Sequence, residues 1–177
     1  MLTIDGNELY LKKDIGSIDE VNEKLNFLDM PGNIGIAHTR WATTGAVTQV
    51  NAHPHLSKNK KVVVVHNGII ENYEDFKKGL ESLGYEFASQ TDTEVIPHYI
   101  ENELNSGKTV KEIMCSFIKK ANGTFAILFM ISGENKLYAI KRDSPLVLGI
   151  GDKEYYLASD IYAFSDKTNK AVFFDDN

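Results

Sequence analysis

The 177-residue sequence is 42% hydrophobic and 25% charged, which is typical of one folded globular domain. Its formal net charge is -6 and its lysines and arginines are spread thinly, which argues against a nucleic-acid partner because such proteins need a basic stripe. The longest apolar runs, at 62–65 and 125–131, are too short to cross a bilayer, so no membrane partner is expected. The first residues carry no signal-peptide pattern, and we therefore expect a cytoplasmic protein with one domain over 1–177.

The first part of the chain predicts short strands, one helix and a long polar loop. Turn residues at 5–7 predict a hairpin over 2–11. Ser17 and Glu20 have capping-box spacing, which predicts a helix that ends at Pro31 and Gly32. β-branched runs predict strands over 33–39 and 61–66. The loop between them, at about 42–59, is long for a compact domain, which favours a functional role or disorder.

The rest of the chain predicts three helices followed by strands. We expect helices over 73–83, closed by Gly84, from the capping-box pattern Thr91–Glu94 to about Leu104, and over 109–120. Strands are expected over 124–131, 136–141, 146–150, 155–158 and 171–174. Strands, then helices, then strands predict an α+β fold of layered, mostly antiparallel sheets.

Three polar clusters, at 38–45, 66–68 and 91–94, are predicted to lie at the ends of regular elements, where groups converge on small ligands. Arg40 offers a fork of donors suited to a carboxylate, and Asp92 an anion suited to an ammonium group. Asn67 and the amide of Gly68 offer two donors of the oxyanion-hole kind. If the clusters converge, they predict a site for an amino acid with a reactive side-chain amide.

Each of these residues also has a simpler interpretation. Arg40 is equally suited to a surface ion pair, and Asp92 to capping its helix. Asn67-Gly68 is a common turn dipeptide, and Trp41 is a candidate core or loop-packing aromatic. The order and context of the three clusters favour the functional interpretation.

The remaining candidates favour structural roles. His53 and His55 have a spacing that suits metal, but no third ligand stands nearby in the sequence, so we expect them to structure their loop and expect no metal. Cys115, the single cysteine, lies mid-helix without an activating neighbour and is predicted to be a buried structural thiol. Gly149 and Gly151 lack the third glycine of a dinucleotide fingerprint, so no cofactor is expected.

Four ordered motifs give the chain a specific resemblance: HTRWAT (38–43), NAHPH (51–55), VVHNGIIEN (64–72) and TDTEVI (91–96). They resemble the consecutive signatures of class II glutamine amidotransferases. Within that class, the Arg40-Trp41 pair is similar to the aminotransferases that use fructose 6-phosphate, and not to the purine-pathway enzymes, where Arg-Tyr is expected. SPLVLG (144–149) and ASD (158–160) match later parts of the same domain.

The resemblance implies a four-layer αββα sandwich of the N-terminal-nucleophile hydrolase kind. It also implies hydrolysis of glutamine to glutamate and ammonia without a cofactor, and transfer of the ammonia to fructose 6-phosphate in a sugar-phosphate isomerase domain. Arg40 would bind the substrate α-carboxylate and Asp92 its α-ammonium group. Trp41 and Thr43 would shape the glutamine pocket and its lid. Asn67 and Gly68 would form the oxyanion hole.

Two departures from the family pattern matter. The catalytic N-terminal cysteine, with its strand and helix, is absent from the sequence, which opens with Met1-Leu2-Thr3. Thr44 stands where these aminotransferases usually have histidine. We therefore expect an internal piece of a larger enzyme, inactive alone, whose full-length form is a possible homodimer. The alternatives are a non-catalytic glutamine-binding module and the glutaminase domain of another class II amidotransferase.

Overall fold

The computed structural model describes residues 1–41 and 45–176. Its first part contains a hairpin, a short helix and the first strands of the central sheet. In chain order these elements are β1 (Leu2–Asp5), β2 (Glu8–Leu11), α1 (Ile18–Leu25), a 3-10 turn (Phe27–Asp29), β3 (Ile34–Ile36), β4 (His55–Leu56) and β5 (Val62–Ile70).

Three helices and five strands follow, as the sequence predicts. They are α2 (Tyr73–Glu81), α3 (Val95–Asn105), α4 (Val110–Lys120), β6 (Gly123–Ile131), β7 (Leu137–Arg142), β8 (Val147–Ile150), β9 (Tyr155–Ala158), a 3-10 turn (Ile161–Ala163) and β10 (Ala171–Phe173).

The strands form three antiparallel sheets with orders β2-β1-β3, β4-β5-β6-β7 and β10-β8-β9. The longest ladder joins β5 to β6, from Val62 opposite Ile131 to Ile70 opposite Gly123. Side chains along a strand alternate between its two faces, so β5 supplies residues to both sides of the central sheet.

The two faces of the central sheet bury separate hydrophobic clusters. Val62, Val64 and Phe129 belong to a cluster shared with α2, α3 and α4. Val63 and Val65 belong to a second cluster, which includes Leu2, Ile4 and Ile36 of the β2-β1-β3 sheet. The described chain therefore stacks a helical layer, the central sheet and a second sheet, which confirms the α+β prediction.

Several boundaries differ from the sequence prediction. The capping box of Ser17 and Glu20 is present, but α1 ends at Leu25 because Asn26 takes the left-handed conformation, well before Pro31. The predicted strand over 61–66 continues to Ile70, so Asn67 and Gly68 lie inside β5. The prediction that Asn67-Gly68 forms a turn is therefore wrong. The prediction that this dipeptide follows the end of the strand is also wrong.

Cys115 is exposed, so the prediction of a buried thiol is wrong. The buried face of α4 is formed by Ile113 and Phe117, which are four residues apart and share one side of the helix. Cys115 is two residues from each of them and therefore points away from that side.

Candidate functional site

The predicted site residues meet at one cavity of about 330 Å³, which we call the first cavity. This volume lies within the range of small-molecule sites, about 300–1,000 Å³. Its wall includes the predicted residues Arg40, Trp41, Asn67, Gly68 and Asp92. Thr43, the sixth, lies outside the described residues, as does Thr44. Further lining residues belong to the three polar clusters but were assigned no role of their own in ligand binding, among them His38, His66, Thr91 and Thr93.

Asp92 is buried at the cavity wall and does not cap its own helix. Helix α3 begins at Val95 with Glu94 at the N-cap and no side-chain cap bond, so the capping-box prediction for 91–94 is wrong. The Oδ2 atom of Asp92 instead accepts the amide hydrogen of Ile70, at 2.8 Å. Burial raises the pKa of the Asp92 carboxyl, although its hydrogen bonds and the charge of Arg40 act in the opposite direction. A cationic ligand group would therefore be strongly favoured beside it.

Glu94 reaches backwards along the chain, which explains the failed capping box. Its carboxylate accepts the amide hydrogens of Ala88 at 3.0 Å and Ser89 at 2.6 Å. Burial alone would raise the pKa of Glu94, but these bonds and His98 lower it to about 2. The Glu94 carboxylate thereby joins the start and the end of the segment 88–94, which carries Asp92.

The edge of β5 faces the first cavity through its backbone amides. The amide of His66 donates to His53 Nδ1 at 3.4 Å, and that of Ile70 donates to Asp92. In an antiparallel strand, amides two residues apart point to the same edge, which places the Gly68 amide between these two.

Gly68 can only be glycine in this conformation. Its φ is +123°, and a Cβ atom would lie 2.1 Å from the Thr124 carbonyl oxygen on the neighbouring strand. The close approach of β5 to β6 at this point therefore excludes a side chain. The backbone conformation itself therefore requires glycine at position 68.

Arg40 and Trp41 lie at the open side of the cavity. Trp41 is 90% exposed, so its interpretation as a core aromatic is wrong. Arg40 is half-buried, and its Nη1 atom donates to the carbonyl of Ala46 at 3.2 Å. Asn67 is exposed on β5 and also lines the cavity.

A buried histidine network supports the opposite wall. His53 lies in ring contact with His38 at 4.2 Å and with His55 at 5.0 Å between centroids. The hydroxyl of Thr93 lies 3.3 Å from His53 Nε2 and 3.1 Å from His66 Nδ1. Because His53 Nδ1 accepts the His66 amide, the neutral His53 ring carries its proton on Nε2, which faces the Thr93 hydroxyl. The Nε2 atom of His66 is buried and has no hydrogen-bond partner in the described residues.

These histidines are held neutral. Burial lowers the pKa of His66 to about 4, and burial followed by repulsion from His66 and Arg40 lowers that of His38 to about 4. Burial and nearby cations, with Glu94 opposing, lower the pKa of His55 to about 3. Burial, together with the neighbouring histidines and Arg40, places the pKa of His53 well below its usual range. Their contacts fit the loop-structuring role expected of His53 and His55.

A second cavity, of about 490 Å³, adjoins the first across His38, Thr39, His66 and Asn67. Its walls include residues of β3 and β9. Each of these strands is the terminal strand of its three-stranded sheet. The second cavity therefore lies where two strand edges face the same space beside the predicted oxyanion donors.

Two absences hold for the described residues only. Over 1–41 and 45–176, no group of three or more His, Cys, Asp or Glu side chains is arranged to hold a metal ion. Among the helices of the same ranges, none combines the length and apolar character needed to cross a membrane.

Comparison with known sequences identifies relatives along the whole chain. The profile of the glutamine amidotransferase domain family matches residues 38–166, which include all three polar clusters. The chain is 47% identical to glutamine–fructose-6-phosphate aminotransferase (isomerizing) of Thermococcus kodakarensis, covering 99% of the chain and 29% of the relative. It is 46% identical to the enzyme of the same name from Pyrococcus horikoshii, covering 96% and 28%. The chain thus spans less than a third of these relatives' length.

Solved structures give the same result for the fold. The glutamine phosphoribosylpyrophosphate amidotransferase of B. subtilis, solved with ADP and GMP, superposes with a TM-score of 0.79 at 27% identity, over 98% of this chain and 37% of that one. A structure described as the allosteric regulatory enzyme of purine biosynthesis gives a TM-score of 0.80 at 27% identity, with the same coverage. The predicted amidotransferase sandwich of the N-terminal-nucleophile class is therefore confirmed as the fold.

Proposed function

Because the chain belongs to the glutamine amidotransferase domain family, we propose that its first cavity binds L-glutamine and that residues 1–177 form part of a glutaminase domain. The observation that carries the proposal is the shared cavity. A guanidinium, a buried carboxylate and the Asn67-Gly68 pair line one space of about 330 Å³. Together they provide for a carboxylate, an ammonium group and a carbonyl oxygen.

Each of the two charged residues would bind one of the two charged groups of glutamine. Arg40 binds the α-carboxylate through its planar fork of donors. Asp92 binds the α-ammonium group, and that cation favours the ionised carboxylate, which burial disfavours. Trp41 and Thr43 would shape the pocket for the glutamine side chain and the lid of that pocket.

The chemistry would be acyl transfer through a cysteine thiol. The thiol attacks the side-chain amide carbon, and the oxyanion that forms is stabilised by Asn67 and the Gly68 amide. Collapse of this intermediate releases ammonia and leaves a thioester, which water hydrolyses to glutamate and the free thiol. Cys115 is exposed on α4 and does not line the first cavity, so it does not serve as this nucleophile.

We place the nucleophile on a segment outside these 177 residues. The second cavity is the entry that fits it, since the edges of β3 and β9 offer backbone hydrogen bonds to an added strand there. A thiol delivered at the boundary of the two cavities would lie beside Asn67.

The relatives suggest the ammonia acceptor. Those cited above are named for fructose 6-phosphate, and the chain covers 28–29% of their length. We therefore propose a sugar-phosphate isomerase domain as the partner within a longer cytosolic protein, with homodimer formation by the whole enzyme.

A second candidate is a non-catalytic glutamine-binding module. It is favoured by one observation, that the single cysteine of the sequence lies away from the cavity. This candidate predicts that the 177-residue chain binds glutamine but does not hydrolyse it.

Calorimetric titration of the 177-residue chain with L-glutamine tests the binding proposal. We expect a Kd of about 1 µM to 1 mM, weakened about tenfold or more by Arg40→Ala, since a charge-assisted pair is worth about 1.5–3 kcal/mol. Lys24→Ala is the control, because Lys24 pairs with Asp14 outside the first cavity. No detectable binding by the unaltered chain would refute the site.

Catalysis requires the longer protein. Glutamate formation that depends on fructose 6-phosphate would support the aminotransferase, and Asn67→Ala should lower kcat by about 10²–10³ through loss of an oxyanion donor. Glutamine binding without glutamate formation by the longer protein would favour the module instead.

A further inference from the structure

We propose that Asn51 and Gln90 are positioning residues that set the spacing between the Arg40 guanidinium and the Asp92 carboxylate. Neither residue lines the first cavity. By holding the two charged groups at one separation, they would make the cavity selective for an α-amino acid. The inference rests on the proposed glutamine site and deepens it.

The path begins at the backbone of Ala46. Its carbonyl accepts from Arg40 Nη1 at 3.2 Å and from Asn51 Nδ2 at 2.9 Å. Its amide donates to Gln90 Oε1 at 3.3 Å. One backbone unit therefore connects the guanidinium to both side-chain amides.

The path continues through a direct contact between the two amides. Asn51 Oδ1 accepts the Gln90 backbone amide at 2.9 Å, and Asn51 Nδ2 donates to Gln90 Oε1 at 3.3 Å. Asn51 is only 2% exposed, so its hydrogen bonds are shielded from competing water. Gln90 lies two residues before Asp92, which completes a hydrogen-bonded and covalent path from the guanidinium to the carboxylate.

Gly45 shows that the two segments are in close contact at this point. Its φ is +77°, and a Cβ atom there would lie 2.9 Å from Gln90 Cβ and 3.0 Å from Asn51 Nδ2. The backbone at 45–46 is therefore pressed against both amides, with no room for a side chain. Contact and hydrogen bonding together fix the position of this segment.

Spacing matters because the ammonium and carboxylate groups of an amino acid are attached to the same α-carbon, so the distance between the two charges is fixed. A ligand that engages both Arg40 and Asp92 gains from their fixed separation, since the second contact forms without further ordering of the protein. A ligand that binds only Arg40 or only Asp92 gains no affinity from their fixed separation. The positioning role therefore predicts that substitution of Asn51 or Gln90 lowers the affinity for a ligand with both charged groups more than for a ligand with one.

Three ligands separate positioning from general stability. L-glutamine carries both charged groups, glutaramate lacks the amine, and 4-aminobutanamide lacks the carboxylate. Asn51→Ala removes three side-chain hydrogen bonds of a buried residue, and we expect the glutamine Kd to rise about tenfold. Gln90→Ala removes two from an exposed residue, and we expect a rise of about threefold. For the two single-charge ligands we expect changes below about twofold, measured by competition or NMR titration.

Asn72→Ala is the matched control. The Asn72 side chain likewise bridges two backbone groups, the carbonyl of Lys120 at 3.0 Å and the amide of Asn122 at 2.8 Å, but it does not line the first cavity. It should leave all three affinities unchanged. If Asn51→Ala does not fold, Gln90→Ala carries the test, because Gln90 is exposed.

The outcomes separate this inference from the proposed function. Equal weakening of all three ligands, or an unchanged glutamine Kd in a folded variant, overturns the positioning role while leaving the glutamine site intact. Failure of the unaltered chain to bind glutamine refutes the proposed function, and the positioning role with it.

Discussion

The two halves of β5 have the same backbone pairing and opposite chemistry. From Val62 to Val65 every side chain is buried, alternating between the two hydrophobic clusters. From His66 to Gly68 the strand keeps its register with β6 but presents polar groups to the first cavity. The first half requires volume and apolarity, whereas the second requires particular atoms at particular positions. Stability and ligand binding should therefore respond to different substitutions along one ladder.

The largest effect should come from the apolar half of the ladder. Phe129 is fully buried opposite Val64. Phe129→Ala should lower the free energy of unfolding by about 3–5 kcal/mol through lost burial and a cavity, while the folded fraction keeps its glutamine affinity. Urea unfolding and titration measure the two quantities. A weakened affinity in the folded fraction would mean that the two halves are not separable.

The buried histidines should make stability depend on pH. The folded pKa of His66 is about 4, below the ordinary value of 6.5, so the unfolded chain binds the proton more readily. Stability is then fully present above pH 6.5 and falls as the pH is lowered towards 4, by about 3 kcal/mol for His66 alone. His38 and His55 act in the same direction. Asp92, whose pKa is raised, offsets part of the loss.

Urea unfolding at a series of pH values tests whether stability falls as the pH is lowered. His66→Gln should make the free energy of unfolding depend less on pH. Below pH 4.5 the low pKa of Glu94, about 2, should extend the decline. Stability that stays level or rises between pH 6.5 and 4 would show that these histidines accept protons in the folded state.

Gly68→Ala should lower both the stability of the protein and its affinity for glutamine. The added Cβ would lie 2.1 Å from a backbone oxygen, so the strands must separate locally. We expect a loss of about 1–3 kcal/mol in stability from strain and displacement, together with weaker glutamine binding. Gly79→Ala is the control. Gly79 lies inside α2, where an added methyl group would meet no atom within 4 Å, so this change should raise stability by about 0.5–1 kcal/mol. Equal effects of the two changes would contradict the steric argument.

The smallest effect is expected at Asn67, which is exposed within the same strand. Asn67→Ala should change the free energy of unfolding by no more than about 0.5 kcal/mol. Glutamine affinity should also change little, because an oxyanion donor acts on charge that develops only during reaction. A large loss of binding would assign Asn67 to ground-state recognition.

Periodicity and cap spacing predicted most of the elements, because these signals are local. The valine run, the amphipathic α4 and the Ser17-Glu20 cap depend only on neighbouring residues. The Thr91–Glu94 pattern failed because its two carboxylates are bound by amides outside the pattern, those of Ile70, Ala88 and Ser89. Spacing along the chain carries no information about such partners.

The candidate site was predicted in part for the same reason. The charged residues and the Asn67-Gly68 pair are visible as residue types, and the motif resemblance places them in one site. His66, by contrast, lies at the end of a valine run. That its Nε2 atom has no partner among residues 1–41 and 45–176 becomes evident only once Thr93 and His53 are placed around it. The bridge formed by Asn51 and Gln90 likewise joins residues 39 positions apart.

A crystal structure of the chain with bound L-glutamine tests the central claim most directly. We predict glutamine in the first cavity, with its carboxylate on Arg40, its ammonium group on Asp92 and its side-chain amide directed towards Asn67 and Gly68. Glutamine bound outside this cavity, or with its two charged groups away from Arg40 and Asp92, would contradict that claim.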